Sequence, residues 1–258
     1  MRIAVVQTAS SYDKAANRDA VARLVADAAQ GRPDLVVLPE AMMSDFAVEG
    51  ESVAEAAEAL DGEFVTTLRK AAVEHGVAIV AGMFERSCDQ HRPYNTLLAV
   101  GADGVLLGAY RKIHLYDAFG YKESDQLTPG DVAPVVIQVG DHSLGLMTCY
   151  DLRFPELGRA LVDAGAQVLA VPAAWVAGER KAKHWTTLLR ARAIENLVYV
   201  VGAAQCGPRY TGHSLVVSPT GDEIVEADNS ETVLHVSLDL AEVATAREAN
   251  PSLANRRL

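Results

Sequence analysis

The stretch Asp34-Leu-Val-Val-Leu-Pro-Glu-Ala-Met42 is echoed later in the chain by Gln167-Val-Leu-Ala-Val-Pro-Ala-Ala-Trp175. Each stretch contains four apolar residues that end at a proline, which is typical of a strand buried on both faces of a sheet. A helical pattern precedes each stretch, and a further helix–strand unit and a hairpin follow it. The echo predicts an α/β protein with two related halves, whose sheets stack as a four-layer α-β-β-α sandwich.

Outside these two stretches, short apolar strands alternate with helical patterns. The predicted helices cover residues 15–30, 63–75, 157–164 and 185–196, and the predicted strands cover residues 3–7, 35–38, 77–82, 96–100, 105–110, 143–149, 168–171, 198–204, 214–218, 223–225 and 232–238. Strand pairs between the helices favour mixed rather than purely parallel sheets. Residues 117–134, rich in Gly, Asp and Pro, predict one long irregular loop, and long ordered loops are often functional.

The composition shows no break that would mark a domain boundary. We therefore interpret residues 1–258 as a single domain, half of whose residues are hydrophobic, which is enough for one large core. The polar stretch 247–258, which contains Pro251 and the basic pair Arg256-Arg257, is interpreted as a C-terminal arm that docks on a neighbouring subunit.

Charge and cysteine content restrict the class of partner and the compartment. The net charge of −11 and the pI near 5.1 argue against a nucleic-acid or anionic-membrane surface. Cys88, Cys149 and Cys206 are an odd, sparse set without metal-ligand spacing, which suits a reducing compartment. The N-terminal apolar run is too short for a signal peptide, and no stretch approaches the roughly 18 apolar residues of a membrane span. We expect a cytoplasmic protein.

Cys149 lies where strand 143–149 is expected to end and a helix to begin, with Pro155 suited to the first turn of that helix. A thiol at such an elbow faces the positive end of a helix, which favours the thiolate. Two more polar residues lie in apolar segments: Glu40 after Leu35-Val-Val-Leu-Pro39, and Lys112 within Tyr110-Arg-Lys-Ile-His-Leu-Tyr-Asp117. A carboxylate, an ammonium and a thiol suit a covalent amide-hydrolysing site.

Amide hydrolysis through a covalent intermediate needs a nucleophile, a base and an oxyanion stabiliser. Cys149 would form a thioester, while Glu40 would take the thiol proton, return it to the leaving amine and then activate water. Lys112 and the backbone N–H of Tyr150 would stabilise the oxyanion. Glu123, in the irregular loop, would be a second carboxylate. Taken singly, each residue has a structural alternative, for example an inert core cysteine; their joint position at strand ends favours the site.

Three strings around these residues resemble the nitrilase superfamily of carbon–nitrogen hydrolases: L-P-E at Glu40, Y-R-K-I-H-L at Lys112 and M-T-C-Y-D-L-R-F-P-E-L at Cys149. Their order matches that family's catalytic triad, and the resemblance covers nearly the whole chain. It implies the α-β-β-α sandwich, a homodimer or larger homo-oligomer paired through the helices near Cys149, and Glu123 as the fourth, accessory catalytic residue. We expect no cofactor and no metal, because clustered His and Asp ligands are lacking.

The residues after the cysteine indicate a branch of that superfamily. True nitrilases resemble C-W-E at this point, whereas Cys149-Tyr-Asp-Leu-Arg-Phe-Pro-Glu156 is similar to the ω-amidase and deaminated-glutathione amidase branch. Pro172-Ala-Ala-Trp175 and the segment 183–196 also fit that branch. The resemblance implies a small-molecule substrate, a short acid with a terminal amide, such as the 2-oxo acid amides made from glutamine or asparagine, with release of ammonia.

An anionic substrate calls for a cation besides Lys112. Arg153 is the candidate, although it would instead brace the elbow if it paired with Asp151 or Glu156. Trp175 is either a wall of the acyl pocket or a core aromatic. The loop after Asp117 is shorter than in the eukaryotic enzymes of the branch, so the substrate stays open.

Several other activities remain open at this level. Nitrile hydrolysis, N-carbamoyl hydrolysis and acyl transfer all use the same triad, and a binding or scaffold protein could share the fold. A papain-type protease would need His184 or His213 beside Cys149, and it would leave the Glu40 and Lys112 motifs unexplained.

Overall fold

The computed structural model describes residues 1–46 and 52–257. The first half of the chain contains β1 (Arg2–Gln7), α1 (Lys14–Ala29), β2 (Leu35–Val37), α2 (Val53–Ala56), α3 (Glu63–His75), β3 (Ala78–Glu85), β4 (Tyr94–Val100) and β5 (Leu106–Arg111). Two short strands follow, β6 (Asp117–Ala118) and β7 (Tyr121–Lys122). The second half contains β8 (Val135–Val139), β9 (His142–Leu146), α4 (Pro155–Asp163), β10 (Val168–Ala173), α5 (Lys181–Asn196), β11 (Tyr199–Ala204), β12 (Leu215–Val217), β13 (Glu223–Glu226), β14 (Thr232–Ser237) and α6 (Ala241–Ala249).

The long strands form two mixed sheets of the same design. The first sheet has the order β14-β1-β2-β3-β4-β5, and the second has the order β13-β12-β11-β10-β9-β8. In the first sheet β1, β2 and β3 run parallel, and in the second β9, β10 and β11 do so, whereas the outer pairs are antiparallel. The echoed stretches are the equivalent strands β2 and β10, so the prediction of two related halves is confirmed. The first sheet is completed by β14 from the end of the chain.

Alternation along the strands separates the layers. On β1, Ile3 and Val5 join the core that also contains the second sheet, while Ala4 and Val6 join a core with α1 and α3. Successive side chains of a strand point to opposite faces, so each central strand is buried on both sides. Helices α4 and α5 pack on the second sheet, against β9 and β11. The predicted four-layer α-β-β-α sandwich is therefore confirmed.

Local signals set the helix ends. The Asp13 side chain accepts hydrogen bonds from the N–H groups of Ala15 (2.9 Å) and Ala16 (3.1 Å), which caps α1. Helix α3 ends at Gly76, whose φ of 62° lies in the left-handed region that glycine adopts without strain. None of the described helices, from residues 1–46 and 52–257, is both long and apolar enough to cross a membrane.

The structure corrects the prediction of one irregular loop over residues 117–134. Strands β6 and β7 form a hairpin whose central residues, Phe119 (φ 55°) and Gly120 (φ 82°), both have positive φ. This is the signature of a tight hairpin turn matched to strand twist. A 3-10 turn at Glu123–Asp125 follows directly, so this segment is a folded element that holds Glu123.

Other differences lie where the local pattern is weak. Helix α5 begins at Lys181 rather than residue 185, because its first turn is polar and carries no apolar periodicity. Strand β8 and helix α6 were not predicted, and residue 247 lies inside α6. Near the chain end, Arg256 pairs with Asp163 of α4 in the same chain (2.6 Å). Docking of residues 247–258 on a neighbouring subunit stays a prediction.

Candidate active site

The catalytic candidates lie just beyond strand ends that meet at one edge of the sandwich. Glu40 follows β2, Lys112 follows β5 and Cys149 follows β9. Parallel strands bring their carboxyl ends to the same edge, where α/β proteins commonly bind ligands. A cavity of about 830 Å³ opens there, and its lining includes Glu40, Lys112, Glu123, Cys149, Arg153 and Trp175.

Glu40 is fully buried, and protein donors hold both of its carboxylate oxygens. Oε1 accepts hydrogen bonds from Lys112 Nζ (3.0 Å) and Asn95 Nδ2 (2.7 Å), while Oε2 accepts one from the N–H of Ala174 (2.7 Å). Ala174 directly follows β10, the echo of the strand that carries Glu40. The two halves therefore meet at this carboxylate, which is held in one orientation.

Lys112 is the cation at the centre of the cluster. Its buried ammonium donates to Glu40 Oε1 (3.0 Å) and to both oxygens of Glu123 (3.0 and 2.9 Å). Burial lowers the pKa of Lys112, but the charges of Glu123, Glu40 and Cys149 together raise it well above its usual range. The lysine is accordingly charged at neutral pH.

Glu123 is held by its own loop as well as by Lys112. The N–H of Tyr116 donates to Glu123 Oε2 (2.5 Å), and the N–H of Glu123 donates to the carbonyl of Tyr116 (3.1 Å). Burial raises the pKa of this carboxyl, the Lys112 charge lowers it, and Glu40 raises it again, with a net upward direction. The hairpin of β6 and β7 closes the loop between these two residues.

Cys149 has an unusual backbone conformation, with a φ of 48° that a residue with a side chain rarely adopts. It begins a 3-10 turn over Cys149–Arg153, and α4 starts only at Pro155. Burial and the Glu40 charge raise the pKa of the Cys149 thiol well above its usual range, and a hydrogen bond to Glu40 adds to this, against a lowering by Lys112. The expectation of a resting thiolate at a helix end is therefore wrong, because burial and a carboxylate outweigh one short turn.

A buried carboxylate fixes this turn. Asp151 accepts hydrogen bonds from Tyr110 Oη (2.6 Å) and the N–H of Thr148 (2.9 Å), and its Oδ1 lies 2.7 Å from His114 Nδ1. Burial and the neighbouring Asp151 charge raise the pKa of the Tyr110 hydroxyl, so it stays a donor. The backbone N–H of Tyr150 lies in the first turn, where helical N–H groups lack partners inside the helix.

Arg153 lines the cavity wall without a carboxylate partner among the described residues. Its guanidinium lies 4.9 Å from the ring centre of Trp175, and its buried Nη2 has no hydrogen-bond partner in the described part of the chain. The alternative in which Arg153 pairs with Asp151 or Glu156 is thus not what the structure has. Trp175 is nearly buried, and its Nε1 donates to the carbonyl of Lys181 (3.0 Å).

Several site residues were missed by the sequence reasoning. Asn95 donates to Glu40 and to Glu123 Oε1 (3.3 Å), and Gln205 Nε2 donates to the carbonyl of Glu40 (2.8 Å). Lys181 and Tyr116 also line the cavity. A polar residue inside an apolar strand, as Asn95 is in β4, was the available signal. Neither Gln205 nor Lys181 stands out in its local sequence.

Comparisons with known proteins agree with this geometry. Residues 2–248 match the family model described as carbon-nitrogen hydrolase. The chain is 36% identical over 241 residues to the deaminated glutathione amidase of Escherichia coli O157:H7, covering 93% of this chain and 91% of that protein. It is 35% identical over 266 residues to omega-amidase NIT2 of Xenopus tropicalis, covering 99% of this chain and 95% of that protein.

Solved structures give the same result. The carbon-nitrogen hydrolase of Helicobacter pylori G27 superposes with a TM-score of 0.92 at 26% identity, over 100% of this chain and 95% of that one. An amidase from Nesterenkonia sp. AN1 superposes with a TM-score of 0.82 at 29% identity, over 100% of both chains. That structure is a glutamate-to-glutamine mutant in which acrylamide has added to the active-site cysteine.

Proposed function

This chain belongs to the carbon–nitrogen hydrolase family, and we propose that it releases ammonia from a short, carboxylate-bearing ω-amide through a thioester on Cys149. The observation that carries the proposal is the joint arrangement of two groups in one cavity. At its floor, Lys112 and two carboxylates surround the thiol, and on its wall Arg153 presents a guanidinium without a carboxylate partner among the described residues.

The first chemical step is attack of Cys149 on the amide carbon. The raised pKa of the thiol and its hydrogen bond to Glu40 support proton transfer at the moment of attack rather than a standing thiolate. Glu40 takes the proton as the S–C bond forms, so the net charge of the cluster does not change. When the C–N bond breaks, Glu40 returns the proton to the departing ammonia. Glu40 then deprotonates the water that releases the acid.

Lys112 supplies the positive charge for the oxyanion. Its ammonium already contacts Glu40 and Glu123 in the resting site, so it is oriented before the substrate arrives (3.0 and 2.9 Å). A preoriented donor in a water-poor site stabilises developing charge more than the same donor in water does. We assign the second oxyanion donor to the N–H of Tyr150 and the accessory role to Glu123, which holds Lys112 in place.

Arg153 and Trp175 are the proposed acyl-side residues. A buried guanidinium nitrogen without an acceptor carries a desolvation penalty that a substrate carboxylate would relieve. The Trp175 ring, stacked beside the guanidinium at 4.9 Å, keeps it in the cavity wall and offers an apolar surface to the acyl chain.

The test measures ammonia release from a panel of anionic ω-amides, including 2-oxoglutaramate, 2-oxosuccinamate and glutaramate. Neutral valeramide, aliphatic nitriles and N-carbamoyl acids complete the panel. Wild type should prefer the anionic amides, Cys149→Ala should release no ammonia, and Arg153→Met should lose roughly 10- to 100-fold in kcat/KM on anionic amides only, as expected for a hydrogen bond to a charged group. Preference for a nitrile or a carbamoyl acid would contradict the proposed substrate class, and turnover by folded Cys149→Ala would contradict the mechanism.

We further propose a homodimer or larger homo-oligomer. Helices α4 and α5 pack beside the Cys149 turn, and Ile194 on α5 keeps 48% of its surface exposed, which a neighbouring subunit would cover. Sedimentation of the purified protein tests this, since a particle of the 27.5 kDa chain mass would contradict it.

A cytoplasmic location is proposed on the state of the cysteines. Cys88, Cys149 and Cys206 are all free, and Cys88 is exposed, which suits a reducing compartment. Fractionation of the source cells tests the location, and recovery of the protein outside the cytoplasm would contradict it.

A further inference from the structure

We propose that Lys181 is a second anion-binding residue, placed at the mouth of the cavity to take a carboxylate carried by the leaving amine of the substrate. The inference rests on the proposed function, because it needs hydrolysis at Cys149. It extends that function from amides that release ammonia to amides that release a small amino acid.

Lys181 is held at the cavity mouth by aromatic groups. Its ammonium lies 3.0 Å from the Tyr116 hydroxyl, 5.1 Å from the centre of the Tyr116 ring and 4.2 Å from the centre of the Phe119 ring. Its carbonyl accepts the hydrogen bond from Trp175 Nε1 (3.0 Å). Phe119 is 77% exposed, so this end of the cavity opens to solvent, in contrast to the fully buried Glu40 at the floor.

The ammonium has unused capacity for a ligand. A lysine ammonium has three N–H donors, and a single hydrogen bond, to Tyr116, is formed within the described residues. The aromatic rings attract the charge but accept no strong hydrogen bond, so two donors remain for a carboxylate.

Charge bookkeeping of the cavity singles out two cations. Most cations of the lining already have a carboxylate at close range: Lys112 with Glu40 (3.0 Å) and Glu123 (2.9 Å), Arg180 with Glu179 (3.3 Å) and Arg209 with Asp45 (3.0 Å). Within residues 1–46 and 52–257, Arg153 and Lys181 line the cavity without such a partner. In a protein of net charge −11, two free cations in one cavity favour an anionic ligand locally.

The two free cations lie on different sides of the residue that follows the nucleophile. The Arg153 guanidinium is 6.0 Å from the Tyr150 ring centre, while the Tyr116 ring that contacts Lys181 is 5.0 Å from that same centre. A substrate that spans both cations therefore carries one carboxylate on the acyl side and one on the amine side of the bond attacked by Cys149. The cavity of about 830 Å³ has room for such a substrate, since cavities of about 300–1,000 Å³ bury drug-sized ligands.

The reaction balances without any additional reactant. The thiol of Cys149 adds to the carbonyl carbon, its proton passes through Glu40 to the amide nitrogen, and the C–N bond breaks to release the amino acid. Water then cleaves the thioester, which yields the free acid and restores the thiol. Lys181 takes no part in bond making, and it binds the carboxylate of the leaving amine.

The experiment uses three amides with the same acyl group: 2-oxoglutaramate, its N-carboxymethyl derivative and its N-isobutyl derivative, which is a neutral analogue of similar shape. Wild type, Lys181→Met and Lys183→Met are compared. Lys183 is the matched control, because it is an exposed lysine on the same helix, outside the cavity lining. Lys181→Met should lower kcat/KM roughly 10- to 100-fold on the N-carboxymethyl amide alone, mainly through KM.

On the other two amides, Lys181→Met should stay within about twofold of wild type, as Lys183→Met should on all three amides. An equal loss on all three amides would make Lys181 a mere latch for the hairpin and overturn the proposal. Wild-type failure to cleave the N-carboxymethyl amide, with 2-oxoglutaramate still hydrolysed, would overturn it as well and leave the proposed function intact. Failure on all three amides would remove the proposed function itself, and this inference with it.

Discussion

Replacing Gly82 by alanine should displace the proposed general base. Gly82 lies in β3 against the backbone of the Glu40 turn, where its N–H donates to the carbonyl of Pro39 (3.1 Å) and its carbonyl accepts from the N–H of Met42 (2.9 Å). A Cβ at this position would lie 2.7 Å from Glu40 Cα and 2.6 Å from the N of Ala41. These neighbours are backbone atoms, so no side-chain rotation relieves the clash.

The size of the displacement follows from these distances. Ordinary van der Waals contact begins at 3.4 Å, so the Glu40 backbone and β3 must separate by about 0.7 Å. Overpacking of this kind usually destabilises a protein by about 1–3 kcal/mol. The Glu40 carboxylate would move relative to Asn95 and Ala174, each of which now donates to it over 2.7 Å. Misplacement of a reacting group by about 1 Å lowers a rate by roughly 100-fold.

Two measurements on the purified variant check the reasoning. Thermal unfolding of Gly82→Ala should show a midpoint lower by about 2–12 °C, and kcat on the best amide should fall roughly 10- to 100-fold under conditions where the protein is folded. Gly108→Ala is the control, because its new methyl group meets only side-chain atoms, Ile137 Cγ2 at 2.8 Å and Val135 Cγ1 at 3.7 Å. It should lose stability but keep kcat. A Gly82→Ala protein with wild-type kcat would refute the argument.

Three other variants or conditions probe the charges of the site and of the fold. Lys112→Met should lower kcat by roughly 100- to 1000-fold or more, measured in steady state on folded protein, and retained turnover would move the oxyanion role elsewhere. Loss of activity with iodoacetamide should accelerate steadily as the pH rises past about 8.5, because burial raises the pKa of the Cys149 thiol; a rate that levels off below neutral pH would contradict this. Burial raises the pKa of Glu58, but the Phe64 N–H and Lys14 lower it more, so its stabilisation is present above about pH 4.3 and is lost as the pH falls further. Urea unfolding of Glu58→Gln should therefore vary less with pH in that acidic range than wild type, and equal pH dependence would count against this assignment.

Much of the architecture is legible in the sequence because it depends on local periodicity. Strand β1 alternates between two cores, and α3 ends at a glycine with left-handed φ, features set by neighbouring residues. The echo between β2 and β10 reports the two halves for the same reason. Glu40 and Cys149 were identifiable as site candidates because each polar side chain follows an apolar strand, and parallel strands end at a common edge.

Other features escape such reasoning because they join distant parts of the chain. Asn95 reaches Glu40 across 55 residues, Ala174 across 134 and Gln205 across 165. No local pattern encodes these contacts, since they arise only when the two sheets are stacked. The hairpin between Asp117 and Lys122 was predicted as an irregular loop, because a positive φ at Phe119 is not typical of that residue type.

The sequence by itself determined the layers of this protein and which side chains stand at the ends of its strands, because hydrophobic period and turn chemistry act between near neighbours. The tertiary structure alone decided the electrostatic state of the site. The pKa of the Cys149 thiol depends on burial and on a carboxylate brought from the other half of the sandwich. The freedom of Arg153 and Lys181 likewise depends on which carboxylates folding places beside other groups, and charge interactions act through space rather than along the chain.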